Sequence, residues 1–385
     1  MNSSVRIKIF AIFALALVST SGALANDGAA KPATTAAIAT DKAGPAPAKP
    51  APSSGFWKRH FNFVTFDLGT RYRYIDTRPS RVTSRDLQYK ISSKLQINLV
   101  PEGRSYFQMR GETGSRFNSS WTNTGAGLGT EAWVFNVKSF YFGQKLGKHF
   151  EGQIGGLDFE RGVATEASTA DNDGFFVGYR GLISTSGKGW KPNKVIVTIG
   201  YVGDLGIVNV FNRLGHRMDE INYAQVLVQK NFTKQHEGSF EYNNHEGIDY
   251  LRGAYRWKKI PARIFDEMQL EALSRATEDP TFGWTLGLNK SIGQQNPWKF
   301  GVIYSDIPRQ MFNDYGAQIL ENGDWVSIGK RMGGNLQFAP IKADKNFNLQ
   351  LHASRRLDGS LNGPRWRAQI VASYKFAPLA NKLFR

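Results

Sequence analysis

Eight basic residues have the type and spacing to act together on an anion: Arg71, Arg73, Lys90, Lys94, Arg110, Arg356, Arg365 and Arg367. Each lies on the polar parity of a segment whose alternate residues are apolar, which is a β-strand period with two unlike faces. In the segment 364–376, Trp366, Ala368, Ile370, Ala372, Tyr374 and Phe376 occupy one parity, and Arg365, Arg367, Gln369, Ser373 and Lys375 the other, with Val371 the single slip. Rows of Arg and Lys on one wall attract anions and repel cations. The polar parity is basic throughout: Lys138, Arg180, Arg252, Arg256, Lys258 and Lys375 join the eight, against Asp67, Glu112, Glu151, Glu241, Glu267 and Glu271.

An oily face backed by a charged one suits a wall between lipid and water, and the pattern recurs. Leu87, Tyr89, Ile91, Leu95, Ile97 and Leu99 alternate with Gln88, Lys90, Ser92, Lys94, Gln96 and Asn98. Candidate strands lie near 61–77, 87–100, 105–117, 132–142, 149–159, 175–186, 194–203, 221–232, 239–243, 250–258, 264–275, 281–292, 298–305, 325–339, 346–357 and 365–376. These sixteen predict an all-β chain, a transmembrane antiparallel β-barrel, in which an even strand number permits closure. The weakly patterned residues 204–250 leave fourteen or eighteen open. Residues 264–275 also fit an amphipathic helix, but Glu267, Gln269 and Glu271 alternate with Met268, Leu270 and Ala272, which favours a strand. Short connections at 101–104, 143–148, 187–193, 233–238, 259–263, 293–297 and 340–345 alternate with long ones at 118–130, 160–174, 204–220 and 306–324. Such barrels have brief periplasmic turns and longer outer loops. The mean hydropathy of -0.39 does not oppose this, because the polar parity cancels the apolar one in any running average.

The first 25 residues read as a cleaved secretory signal: Arg6 and Lys8 precede an apolar run at 9–18, and Ala23, Leu24 and Ala25 supply a small-residue cleavage site. Residues 26–54, almost all Ala, Pro, Thr, Lys and Gly, read as a disordered periplasmic linker, which leaves 55–385 for the barrel. Of the formal charge of +17, residues 1–25 hold +2 and 26–54 hold +1, so the barrel segment carries +14. Nucleic acid is not the expected partner, since these charges sit on strand parity in an exported chain rather than on a recognition helix. The absence of Cys removes disulfides and thiolate chemistry.

Hydrolysis is the rival chemistry, and it needs a nucleophile and a base in fixed geometry. His60, His149, His216, His236, His245 and His352 are scattered, with no Gly-x-Ser-x-Gly or His-Glu-x-x-His spacing. His236 with Glu237 in an inner turn, His245 with Glu246 in an outer loop, and Glu267 with Glu271 on one strand face are the remaining clusters. Solvated turn and lumen roles account for them, so neither catalysis nor a cofactor or metal is expected.

The signal, the alternating strands, the short-long loop parity and a last strand closing on Tyr374 and Phe376 together resemble an outer-membrane porin. The segment Gly155, Gly156, Leu157, Asp158, Phe159, Glu160, Arg161, Gly162 resembles the entry to the third outer loop of substrate-type and alginate-export-type barrels. One departure is the nine residues that follow Phe376, where porin chains usually end. The resemblance implies a water-filled outer-membrane channel for passive diffusion, with outer-membrane lipid as surroundings and a homotrimer as assembly. Combined with the basic parity, it implies small hydrophilic anions as solutes, with export of an acidic polysaccharide as the alternative. It also implies that the third loop, carrying Glu160, Glu166, Asp171 and Asp173, folds inward to face the basic wall as a constriction.

Overall fold

The computed structural model describes residues 55–77, 81–163, 172–261, 264–276, 280–293, 298–311, 329–341, 344–358, 364–377 and 381. The expected signal and linker, and Glu166 and Asp171 of the third outer loop, lie outside the described residues. Trp57–Arg385 forms one unit.

Its strands are β1 (Phe61–Thr77), β2 (Arg81–Asn98), β3 (Ser105–Thr113), β4 (Thr122–Gly127), β5 (Phe135–Leu146), β6 (Phe150–Asp158), β7 (Phe175–Ser184), β8 (Lys194–Tyr201), β9 (Tyr223–Asn231), β10 (His236–His245), β11 (Ile248–Lys258), β12 (Glu267–Arg275), β13 (Thr281–Ile292), β14 (Trp298–Ile307), β15 (Gly329–Phe338), β16 (Phe347–Arg356) and β17 (Pro364–Lys375). All but β4 pair antiparallel with their ring neighbours, and β17 closes on β1 from Asp67 opposite Lys375 to Thr77 opposite Pro364. The ring therefore has 16 strands. Residues 264–275 supply β12 as a strand, not a helix.

The alternation read from the sequence is inverted in burial, as a membrane wall requires. Ile370 is 49% exposed while its neighbour Gln369 is 6% exposed, and Phe240 and Glu241, Leu251 and Arg252, and Tyr179 and Arg180 repeat the contrast. Apolar side chains face outward to lipid and polar ones face inward. At the edge formed by the short turns, expected to be periplasmic, Trp298 stacks on Phe338 and Tyr374 packs at a tilt against Phe376, an aromatic girdle.

Three local features depart from the expected pattern. β4 was expected to be loop; it pairs with the outer part of β2, Tyr89 opposite Thr122 and Asp86 opposite Gly127, where β3 has already ended. Gly127 takes φ 113 there, and a Cβ would overlap the Arg85 carbonyl. β10 and β11 join through Glu246 and Gly247 alone, both at positive φ (51 and 86), so His245 lies on a strand rather than in a loop, and His236 with Glu237 likewise begins β10. Beyond Phe376, Asn381 accepts a bond from Phe63 N and donates to Phe63 O, each 2.8 Å, on a stretch of β1 that β17 does not reach.

Candidate functional site: an inward loop and an arginine wall

The third outer loop leaves β6 at Asp158 and turns into the barrel. Its outgoing leg is held by lumen-facing side chains of three strands in succession. Gln225 of β9 donates to Glu160 O at 2.8 Å, the Val163 N–H to Ser239 Oγ of β10 at 3.0 Å, and Arg252 of β11 to Val163 O at 3.2 Å. Arg252 is fixed in turn by Glu271 at 3.0 Å and Glu241 at 3.9 Å, all three fully buried.

The returning leg is held by the opposite edge of the same half-ring. Arg110 of β3 donates to the carbonyls of Asn172 (2.8 Å), Asp173 (3.2 Å) and Gly174 (2.9 Å). Lys138 of β5 donates to Asp173 O at 3.2 Å and to Ser119 O at 2.8 Å. The Asp173 carboxylate accepts from Ser120 N and Oγ, each at 2.9 Å, and lies 3.7 Å from Lys90. Burial alone would raise the Asp173 carboxyl, but Lys90, Lys138, Arg110 and the Ser120 bond together hold it below the usual carboxylate range.

The acids around the loop, Asp158, Glu112 and Glu160, are matched by cations. Asp158 meets Lys94 at 2.6 Å and Arg110 at 3.0 Å, and Glu112 meets Arg110 at 3.5 Å and Lys138 at 3.8 Å. Glu160 meets Lys194 at 3.3 Å and Arg180 at 3.8 Å. Of the eight basic residues singled out in the sequence, the structure therefore places Lys90, Lys94 and Arg110 against the loop or its root.

The others gather on β16, β17 and β1, whose side of the ring lies across from β7 to β10. Arg73 is opposite Gln369 and Arg367 opposite Ile75, so these two arginines are diagonal neighbours across the closure. Arg71 lies one inward position below Arg73, donates to Gln88 Oε1 at 2.7 Å and stacks over Trp121 at 4.4 Å. Arg356, 3.7 Å from Asp358, is opposite Arg331, which donates to Ser354 Oγ at 3.1 Å. Arg365 stands at the outer start of β17. Asp86, opposite Arg73 on β2, is the other acid at this level among the described residues.

Two of these residues escaped the sequence reading. Arg331 sits on the polar parity of a recognised strand, but Gly333 and Gly334 blur the alternation around it. Trp121 reaches the lumen from a loop, where parity says nothing.

The fourth outer loop does the reverse of the third. It carries a helix, α1 (Val210–Leu214), that packs on the lipid side of β5, β6 and β7. Val210 covers Gly156, Phe211 packs against Phe140, and Arg213 is fully buried, 4.7 Å over each of the Phe117 and Phe175 rings.

Of the carboxylates considered for hydrolysis, three are engaged in ion pairs, Glu237 with Arg256 (2.9 Å) and Lys258 (2.6 Å), Glu267 with Arg256 (3.9 Å) and Glu271 with Arg252, while Glu246 in the β10–β11 turn accepts from Asn222 at 3.4 Å. Among the described residues, no group of three or more His, Asp or Glu is placed to hold a metal ion.

No protein-family model matches the sequence, and no curated protein is similar to it in sequence. Solved structures are similar in fold. OmpF of Salmonella typhi, solved in complex with daunomycin, matches with a TM-score of 0.53 at 10% identity, over 83% of this chain and 99% of that one. A porin of Rh. blastica, solved as a variant, matches with a TM-score of 0.50 at 9% identity, over 82% of this chain and all of its own. With its closed 16-strand ring, the chain has the fold of the outer-membrane porins.

Proposed function

We propose that this barrel is an outer-membrane channel for passive diffusion of small hydrophilic solutes, with a preference for anions. The observation that carries the reading is the division of charge inside the ring. Asp158, Glu112 and Glu160 are ion-paired to cations around the third loop, whereas Arg71, Arg73, Arg331, Arg356 and Arg367 cluster on the outer part of β15 to β1, with Asp86 and Asp358 beside them. A solute passing between loop and wall meets a surface of positive potential, which water screens over about 8–10 Å at physiological salt. Asp173 and Glu160 lie on the opposite side, each among cations that hold the loop. Residues 1–25 would direct export and 26–54 would be a disordered periplasmic spacer ahead of the barrel.

The test is the reversal potential of the purified barrel in planar bilayers under a salt gradient. Anion preference is expected, and Arg356→Glu with Arg367→Glu should move the potential toward cations. A cation-preferring parent channel, or an unmoved potential in the double variant, refutes the proposal.

A further inference from the structure

The lipid-facing side of β14 to β1 carries a dent that the channel does not use. Phe300, Leu336, Leu351, Ile370 and Tyr72 are register partners and form one bulky row across five strands. One inward-outward repeat nearer the outer end, the row is Gly334, Ala353 and Ala368, and one repeat beyond that it is Met332, Arg355 and Trp366. The small row between two large ones leaves an apolar concavity of about 470 Å³. A second one, of about 360 Å³, opens around Ala372, four residues below Ala368 on the same face of β17, so the two line up along one strand.

Arg355 stands at the outer rim of the upper dent. It is exposed on the lipid-facing parity, with its guanidinium 5.0 Å over the Trp366 ring, and no ion pair involves it among the described residues. An arginine on the lipid face costs roughly 2–4 kcal/mol at the bilayer midplane and little at the interface. Its depth can be worked out: it lies eight residues from Phe347, the register partner of Tyr374 in the girdle, which at about 3.4 Å per residue and a tilt near 40° is roughly 21 Å. That is the outer edge of an apolar band about 25 Å tall, where lipid phosphates lie. Lys330, 56% exposed and 3.9 Å from Asp306, is a second cation on the same face of the neighbouring strand.

We propose that this face holds one anionic outer-leaflet lipid, its phosphate on Arg355 and an acyl chain in the dent floored by Gly334, Ala353 and Ala368. A guanidinium offers phosphate two parallel bonds, and a chain seated over the small row regains the dispersion contacts that a gap forfeits. The inference rests on the membrane placement of the barrel and not on its ion preference, so the two can fail separately.

The test is native mass spectrometry of the detergent-purified barrel with added phosphatidylglycerol or, separately, phosphatidylcholine. Arg355→Gln removes the charge and Ala368→Leu fills the dent; both alter lipid-facing positions, and heat-modifiable gel migration checks that each variant is folded. One retained phosphatidylglycerol is expected, with retention reduced roughly tenfold or more in Arg355→Gln and reduced also in Ala368→Leu. Equal retention of the two lipids, or retention unchanged in both variants, overturns the proposal. So do oligomers of the parent that Ala368→Leu disperses without altering lipid retention, since the dent would then seat a second copy of the chain.

Discussion

Replacing Arg110 with Met should release the returning leg of the third loop while leaving the barrel closed. Arg110 is 6% exposed, donates to three consecutive carbonyls of the loop, and has its Nε 3.0 Å from Asp158. Hydrogen bonds from a charged group contribute about 1.5–3 kcal/mol each, and stripping one partner from a buried ion pair costs about 3–5 kcal/mol. The bonds share one guanidinium and are not additive. Lys94, 2.6 Å from Asp158, remains to compensate it, so about 4 kcal/mol is the reasonable sum, roughly a thousandfold in the ratio of docked to released loop. The backbone ladders of β3 with β2 and β5 do not involve the side chain. Single-channel recording should show a larger and noisier conductance, and limited proteolysis should cut the loop, in a variant that still migrates as a folded barrel. Arg110→Lys should restore the parent behaviour only in part, since an ammonium lacks the fork that spans three carbonyls. Parent-like conductance, noise and cleavage in Arg110→Met would show that the loop is held elsewhere.

Asp173 gives the same loop an acid limit. Its carboxyl is held below 3.8 in the folded barrel, so its contribution to docking is fully present above about that pH and is lost as the pH falls through the lower folded value. Conductance of the parent should stay level from neutral pH down to about 4 and change only below it, and Asp173→Asn should lack that acid step. Gly156→Val should displace α1, because even a methyl at this position overlaps Val210. Overpacking of about 1–3 kcal/mol is expected as a lower melting temperature and faster tryptic cleavage at Arg213 and Arg217, with Val210→Ala restoring part of the loss.

Every ring strand was legible in the sequence because each must show lipid one parity and water the other, and that demand writes itself into the residues. Where the demand lapses, so does the signal. β4 reads Thr-Asn-Thr-Gly-Ala-Gly, polar or small on both faces, and it pairs with the outer part of β2 where no hydrocarbon selects its residues. α1 is five residues long, too short for a helical period to appear among weakly patterned neighbours. The inward course of the third loop came from resemblance alone, since Glu160, Val163 and Asp173 are met by side chains of β2, β3, β5 and β9 to β11 that lie far off in the chain.

The charge count was legible too, but its meaning was not. A barrel segment with +14 suggests a uniformly basic bore, yet a cation bound to a buried carboxylate contributes little field to a passing solute. Lys94, Arg110, Lys138 and Arg252 each have such a partner within 4 Å and each also steadies the third loop or the loop before it. Under the proposed anion preference, Arg71, Arg73, Arg331, Arg356 and Arg367 on the opposite wall are the residues to test for selectivity. The two sets should separate experimentally: substitutions in the first change conductance and size exclusion through the loop, and substitutions in the second change the reversal potential while leaving the loop in place. A variant such as Arg367→Glu that altered proteolysis of the loop as strongly as it altered ion preference would mean that wall and loop are one coupled unit, and the division of charge would lose its explanatory force.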